Sequence, residues 1–92
     1  MVSLENKFIR NNDIAWRVID GEALVVSPKD SLIYPLNDVG ARIWELLDGK
    51  RTVSDIASII CGEFEGDGKA IQDDVMDFIE DLSKAGLVNG AS

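Results

Sequence analysis

Ninety-two residues with 46% hydrophobic side chains are enough for one small core and too few for a second domain. A net charge of −8 disfavours nucleic-acid binding, which rests on basic contacts to phosphate, and no apolar run of about 18 residues exists to span a membrane. The chain has no histidine and one cysteine, Cys61, so it lacks the commonest metal ligand and any intrachain disulfide.

The first residues, Met1 to Lys7, carry neither the apolar core nor the small-residue cleavage site of a secretory signal, so a cytoplasmic protein is expected. Phe8 and Ile9 are the apolar anchors of the next stretch, and Asn11-Asn12-Asp13 reads as a turn. From Ile14 to Ile19 the residues alternate, with Ile14, Trp16 and Val18 on one side and Ala15, Arg17 and Ile19 on the other. Glu22 to Ser27 alternates too, setting Leu24 and Val26 opposite Ala23 and Val25. Asp20-Gly21 between the two runs signals a hairpin, because a type I′ turn needs positive φ at both positions. Pro28-Lys29-Asp30-Ser31 reads as a second turn, and Leu32 to Leu36 as a third strand.

Helical periodicity follows. Asn37 or Asp38 can cap a first helix whose apolar stripe is Val39, Ile43, Leu46 and Leu47, with Gly49 as its left-handed stop. Thr52 caps a second helix with Asp55 in its first turn, and Val53, Ile56, Ala57, Ile60 and Phe64 line one face. Gly66-Asp67-Gly68 breaks the pattern. A third helix runs from roughly Lys69 to Lys84, with Ile71, Val75, Phe78 and Leu82 inward and Ile79 beside them. Ala85-Gly86 ends it, and Leu87-Val88 is a short closing strand or tail contact. The expected class is α+β: a three-stranded antiparallel meander followed by three helices, winged-helix-like in outline. A DNA reader would place basic residues on the third helix, whereas this one carries Asp73, Asp74, Asp77, Glu80 and Asp81.

Nothing in the chain reads as catalytic. Cys61 has no histidine to activate it, the serines have no base, and the glycines lack the lysine and strand context of a phosphate loop. Asp73, Asp77 and Glu80 share a helix face, but no loop supplies further oxygen ligands, so a solvated face is expected rather than a metal site. Binding is the remaining kind of function. Leu32-Ile33-Tyr34-Pro35-Leu36 is nearly all apolar and bears no charge that would discourage pairing with another chain. Met76 lies at one margin of the third helix's core stripe and Asp74 and Asp81 at the other; either margin could face that strand.

Several segments, in order and spacing, resemble the PqqD-like family. They are Trp16 with Asp20-Gly21-Glu22-Ala23, then Tyr34-x-Leu36-Asn37, then the run from Gly40 to Gly49. Thr52-Val53 with Ile56, Asp74-Val75 with Phe78 and Leu82, and Gly86-Leu87-Val88 continue the match over nearly the whole chain. The resemblance implies a recognition element for ribosomally made, post-translationally modified peptides, in which a leader peptide adds beside the third strand and packs on the third helix. It also implies a partner enzyme, such as a radical S-adenosylmethionine protein, a protease or a cyclase, and no cofactor of the chain's own. Leu47 and Leu87 stand where members serving pyrroloquinoline quinone synthesis look to carry cysteine and tryptophan, which favours the general family over that pathway.

The expected peptide site is therefore the backbone of Leu32, Ile33, Tyr34, Pro35 and Leu36, with Ile33 and Tyr34 shaping pockets. Val75, Met76, Ile79 and Leu82 would form the helical wall, and Asp74 and Asp81 would meet basic residues. Pro35 raises a question of geometry, since it lacks an N–H and removes one ladder bond if its nitrogen faces outward. The rival readings are a winged-helix transcription regulator and a structural module that forms a homodimer by pairing the third strand with itself.

Overall fold

The computed structural model describes residues 2–27 and 32–91. Its elements run β1 (Lys7–Arg10), β2 (Ala15–Ile19), β3 (Glu22–Ser27), β4 (Leu32–Leu36), α1 (Asp38–Leu46), β5 (Asp48–Thr52), α2 (Val53–Glu63), α3 (Gly68–Lys84) and β6 (Val88–Ala91). The class is α+β with three helices, as expected. The strand count differs: six strands form two three-stranded sheets, ordered β2-β3-β4 and β5-β1-β6.

The sheet β2-β3-β4 is the expected meander. Asp20 and Gly21 have φ of 52° and 80°, the left-handed pair that a two-residue hairpin turn requires. Trp16 pairs with Val25, and Val25 in turn with Tyr34. Along β3, Ala23, Val25 and Ser27 are buried while Leu24 and Val26 are exposed, so the period-two pattern sets which face meets the core. The turn expected over 28–31 lies outside the described residues.

The second sheet is the correction. β1 pairs with β5 on one side and β6 on the other. β1 buries only Phe8, and β5 reads Asp-Gly-Lys-Arg-Thr with no alternation. Neither carries a strand pattern of its own, because their pairing depends on neighbours distant in sequence. Gly49 does take positive φ, at 80°, but it sits inside β5 against Ile9 instead of stopping α1. The carbonyl end of α1 is satisfied differently. The Arg10 guanidinium, reaching across from β1, donates to the carbonyls of Trp44 and Glu45, both at 2.8 Å.

The N-termini follow the sequence closely. Asn37 caps α1, its side chain accepting from Gly40 N–H at 2.8 Å. Thr52 and Asp55 form a reciprocal capping box on α2. Trp44 was absent from the expected stripe of α1, yet it is fully buried. The helix packs against β3 and β4 on one side and α2 on another, so it buries more than one stripe. Trp16 meets Trp44 edge to face, with centroids 6.1 Å apart, and Arg10 lies 5.1 Å from the Trp16 ring centre. Leu47 and Leu87 are both buried core residues. No described helix is long and apolar enough to cross a membrane.

Two carboxylates respond to folding. Arg42 on α1 forms a bidentate pair with Glu63 on α2, at 2.8 and 3.0 Å, and its hydrogen bond holds the Glu63 carboxyl below the ordinary range. Asp48 is lowered chiefly by the Lys50 N–H, with the Arg51 N–H and side chain adding to it.

Arg10→Ala is expected to cost about 2–3 kcal/mol in urea unfolding, since it leaves two carbonyls and a ring without their cation. A loss under about 0.5 kcal/mol would mean that water replaces the guanidinium. For Glu63 and Asp48 the folded pKa lies below the unfolded one. Their stabilisation is therefore complete above the unfolded value and lost as pH falls through the folded one. Thermal melts should show Tm dropping below about pH 4, with a shallower drop in Glu63→Gln.

Candidate functional site

β4 is an edge: β3 pairs with one side, and no described strand pairs with the other. The direction of its backbone groups follows from the hairpin. A two-residue turn with both φ positive closes on a hydrogen-bonded pair, here Ile19 and Glu22. Pair types alternate along an antiparallel ladder, so Glu22, Leu24 and Val26 turn their N–H and C=O toward β2, and Ala23, Val25 and Ser27 toward β4. The β3–β4 register then sets Leu36, Tyr34 and Leu32 facing β3, and Ile33 and Pro35 facing away. Proline's missing donor thus falls on the open side, the position an edge strand tolerates. What remains there is the Ile33 N–H, the Ile33 C=O and the Pro35 C=O. An added strand could make three main-chain hydrogen bonds over this stretch.

Side chains follow the same alternation. Ile33 and Pro35 lie on the solvent face of the sheet with Leu24 and Val26, and Ile33 is 62% exposed. Tyr34 and Leu36 lie on the opposite face, Tyr34 half-buried and Leu36 buried. Ile33 and Tyr34 therefore lie on opposite faces of the sheet.

Beside the end of β4 runs a groove of about 630 Å³. Pro35 and Leu36 form one lip. Val39, Gly40 and Ile43 of α1 contribute the floor with Ile60 and Phe64, and Ile71, Asp74, Val75 and Phe78 of α3 form the far wall. Those four α3 positions lie on one helical face, at spacings of three, one and three. The Asp74 margin of α3 therefore faces β4. Met76 is half-buried on the other side, away from the groove lining. Ile79 and Leu82 are core residues, 0% and 5% exposed, and neither lines the groove. Asp81 is exposed and also outside the lining.

Phe78, Ile71 and Val39 were read in the sequence as core; each is only partly buried and lines the groove. Their period matches that of true core residues, so no pattern separates them. Gly40 is the one distinguishing signal: a Cβ there would stand 3.3 Å from the Phe78 ring tip and 3.4 Å from Leu36 Cβ. Its missing side chain lets the two walls close on the first turn of α1. Glu65 and Asp74 are the charged lining residues, and both are exposed. Cys61 is exposed, with its Sγ 3.8 Å from the Gly68 carbonyl.

The profile of the family described as coenzyme PQQ synthesis protein D (PqqD) matches residues 22–88. No curated protein sequence matches significantly. Among solved structures the chain is similar to TbiB1 in complex with the TbiA(beta) leader peptide, at 26% identity and a TM-score of 0.80, over 91% of this chain and 98% of that one. It shares the fold of lasso peptide synthetase B1 complexed with the leader peptide, at 19% identity and a TM-score of 0.78, over 90% of this chain and 98% of that one. The PqqD truncation of PqqCD from Methylobacterium extorquens, a stand-alone recognition element for ribosomally made and modified peptides, has the same fold at 20% identity and 0.78, over 97% and 95%.

The ladder parity predicts a pattern in amide exchange. The Tyr34 and Leu36 amides should be protected by bonds to β3, while the Ile33 amide exchanges at close to the open-chain rate. Protection of Ile33 in the free monomer would overturn the assignment of Pro35 to the open side.

Proposed function

The chain belongs to the coenzyme PQQ synthesis protein D family, and we propose that it captures the leader of a ribosomally made precursor peptide and presents it to a modifying enzyme. The leader joins the meander sheet as a fourth strand along β4. The observation that carries this reading is the unpaired β4 edge lying directly beside an apolar groove. The edge supplies affinity through main-chain bonds that any sequence can make, and the groove supplies selection by receiving alternate side chains. TbiB1, similar over nearly its whole length, is seen with a leader peptide bound.

The role is binding, not chemistry. Among the described residues the groove is lined by apolar side chains, one asparagine and two carboxylates, with no nucleophile beside a base. The enzyme served would be one acting on the precursor's core segment, such as a radical S-adenosylmethionine protein, a protease or a cyclase. An extended leader bound along one edge leaves the rest of the precursor free to reach such a catalyst.

Amide NMR with the leader of a short peptide encoded beside the gene tests the reading. Ile33 should gain protection, and shifts should cluster on β4 and the Ile71–Phe78 face of α3. No shifts at millimolar peptide would remove that precursor as the ligand. Phe78→Ala should weaken leader binding about tenfold or more, or ~1.4 kcal/mol, with Met76→Ala affecting it much less. Equal losses in the two variants would mean that the peptide lies on the other side of α3.

A further inference from the structure

We infer that the groove selects a leader segment that pairs an apolar side chain with a neighbouring lysine or arginine. This rests on the leader-binding reading and specifies its ligand. The lining is apolar where Val39, Phe64, Ile71 and Phe78 meet, and its charged members among the described residues are Glu65, just beyond α2, and Asp74 on α3. Among the described residues neither is in an ion pair, and none of those lining the groove is a lysine or arginine. The nearby Arg42 is not a counter-charge for them, since Glu63 holds it in a bidentate pair.

The first turn of α1 also borders the groove, and a helix N-terminus favours anions. Here that preference is already met. Asn37 accepts from Gly40 N–H, and the Asp38 carboxylate accepts from its neighbour Val39 N–H. An incoming acidic side chain would meet two carboxylates and an occupied helix end. A lysine or arginine can lay its methylene stem along the apolar wall while its charge reaches Glu65 or Asp74. Both acids are exposed, so little desolvation opposes the contact. The gain lies more in discrimination between leaders than in raw affinity.

The test is a selection of displayed random 12-residue peptides on the wild-type chain and on a Glu65→Gln/Asp74→Asn double variant, with equal Tm confirmed first. Wild type should enrich sequences with an apolar residue at fixed spacing from lysine or arginine. The double variant should keep the apolar preference and lose the basic one. For one synthesised wild-type winner, replacing the basic residue by norleucine should weaken binding to wild type about threefold to tenfold and leave the double variant nearly unchanged. The wild-type affinity should fall more steeply between low and high salt. Enrichment of apolar residues without a basic one, or a basic preference that survives in the double variant, overturns the inference and leaves leader capture standing. Failure of wild type to enrich any peptide overturns both.

Discussion

Arg10 on β1 donates to the last carbonyls of α1 while its guanidinium lies against the ring of Trp16 on β2, so one side chain sets α1 against both sheets. Trp44, at that end of α1, is fully buried and meets Trp16 edge to face. α1 spans nine residues, and a helix of that length moves as a rigid rod of about 13 Å. Holding its C-terminal end therefore sets where its first turn lies. That first turn, with Val39 and Gly40, borders the groove. The shape of the candidate site is thus decided at the far end of the helix that floors it.

α3 divides its apolar residues between two tasks. Val75 is buried and also reaches the groove, Ile79 and Leu82 serve the core, and Ile71 and Phe78 stay partly open toward β4. A small domain has little core to spare. Spending two large side chains on a half-open groove makes physical sense if another chain completes their burial. The acidic margin beside them adds charge at the one place where a visiting side chain would be read.

The β4 edge is open, though not fully. An unprotected apolar edge invites pairing with a second copy of itself. With Pro35 on the outer side, two such edges brought together antiparallel would bring two prolines and lose a donor on each strand. A single added strand would meet only one proline, and both groups of Ile33 and the Pro35 carbonyl would stay available to it. One residue would therefore oppose self-pairing of this edge more than the addition of a foreign strand.

Local pattern by itself determined the meander with its Asp20-Gly21 turn and the three helices with the caps at Asn37 and Thr52. Each depends on residues close in sequence, where turn chemistry, capping and periodicity act. The order of segments from Trp16 to Val88 also carried the family resemblance, which the profile over residues 22–88 bears out. Only the tertiary structure decided the second sheet, because β1 and β5 become strands through partners about 40 residues apart or more. It likewise decided that Trp44 is central, that Gly49 belongs to a strand, and that the Asp74 margin of α3 faces β4. The side of β4 on which Pro35 turns its nitrogen was settled by ladder parity running through β3. Core and groove residues share one helical period, so only the arrangement of neighbouring elements separates Phe78 from Ile79.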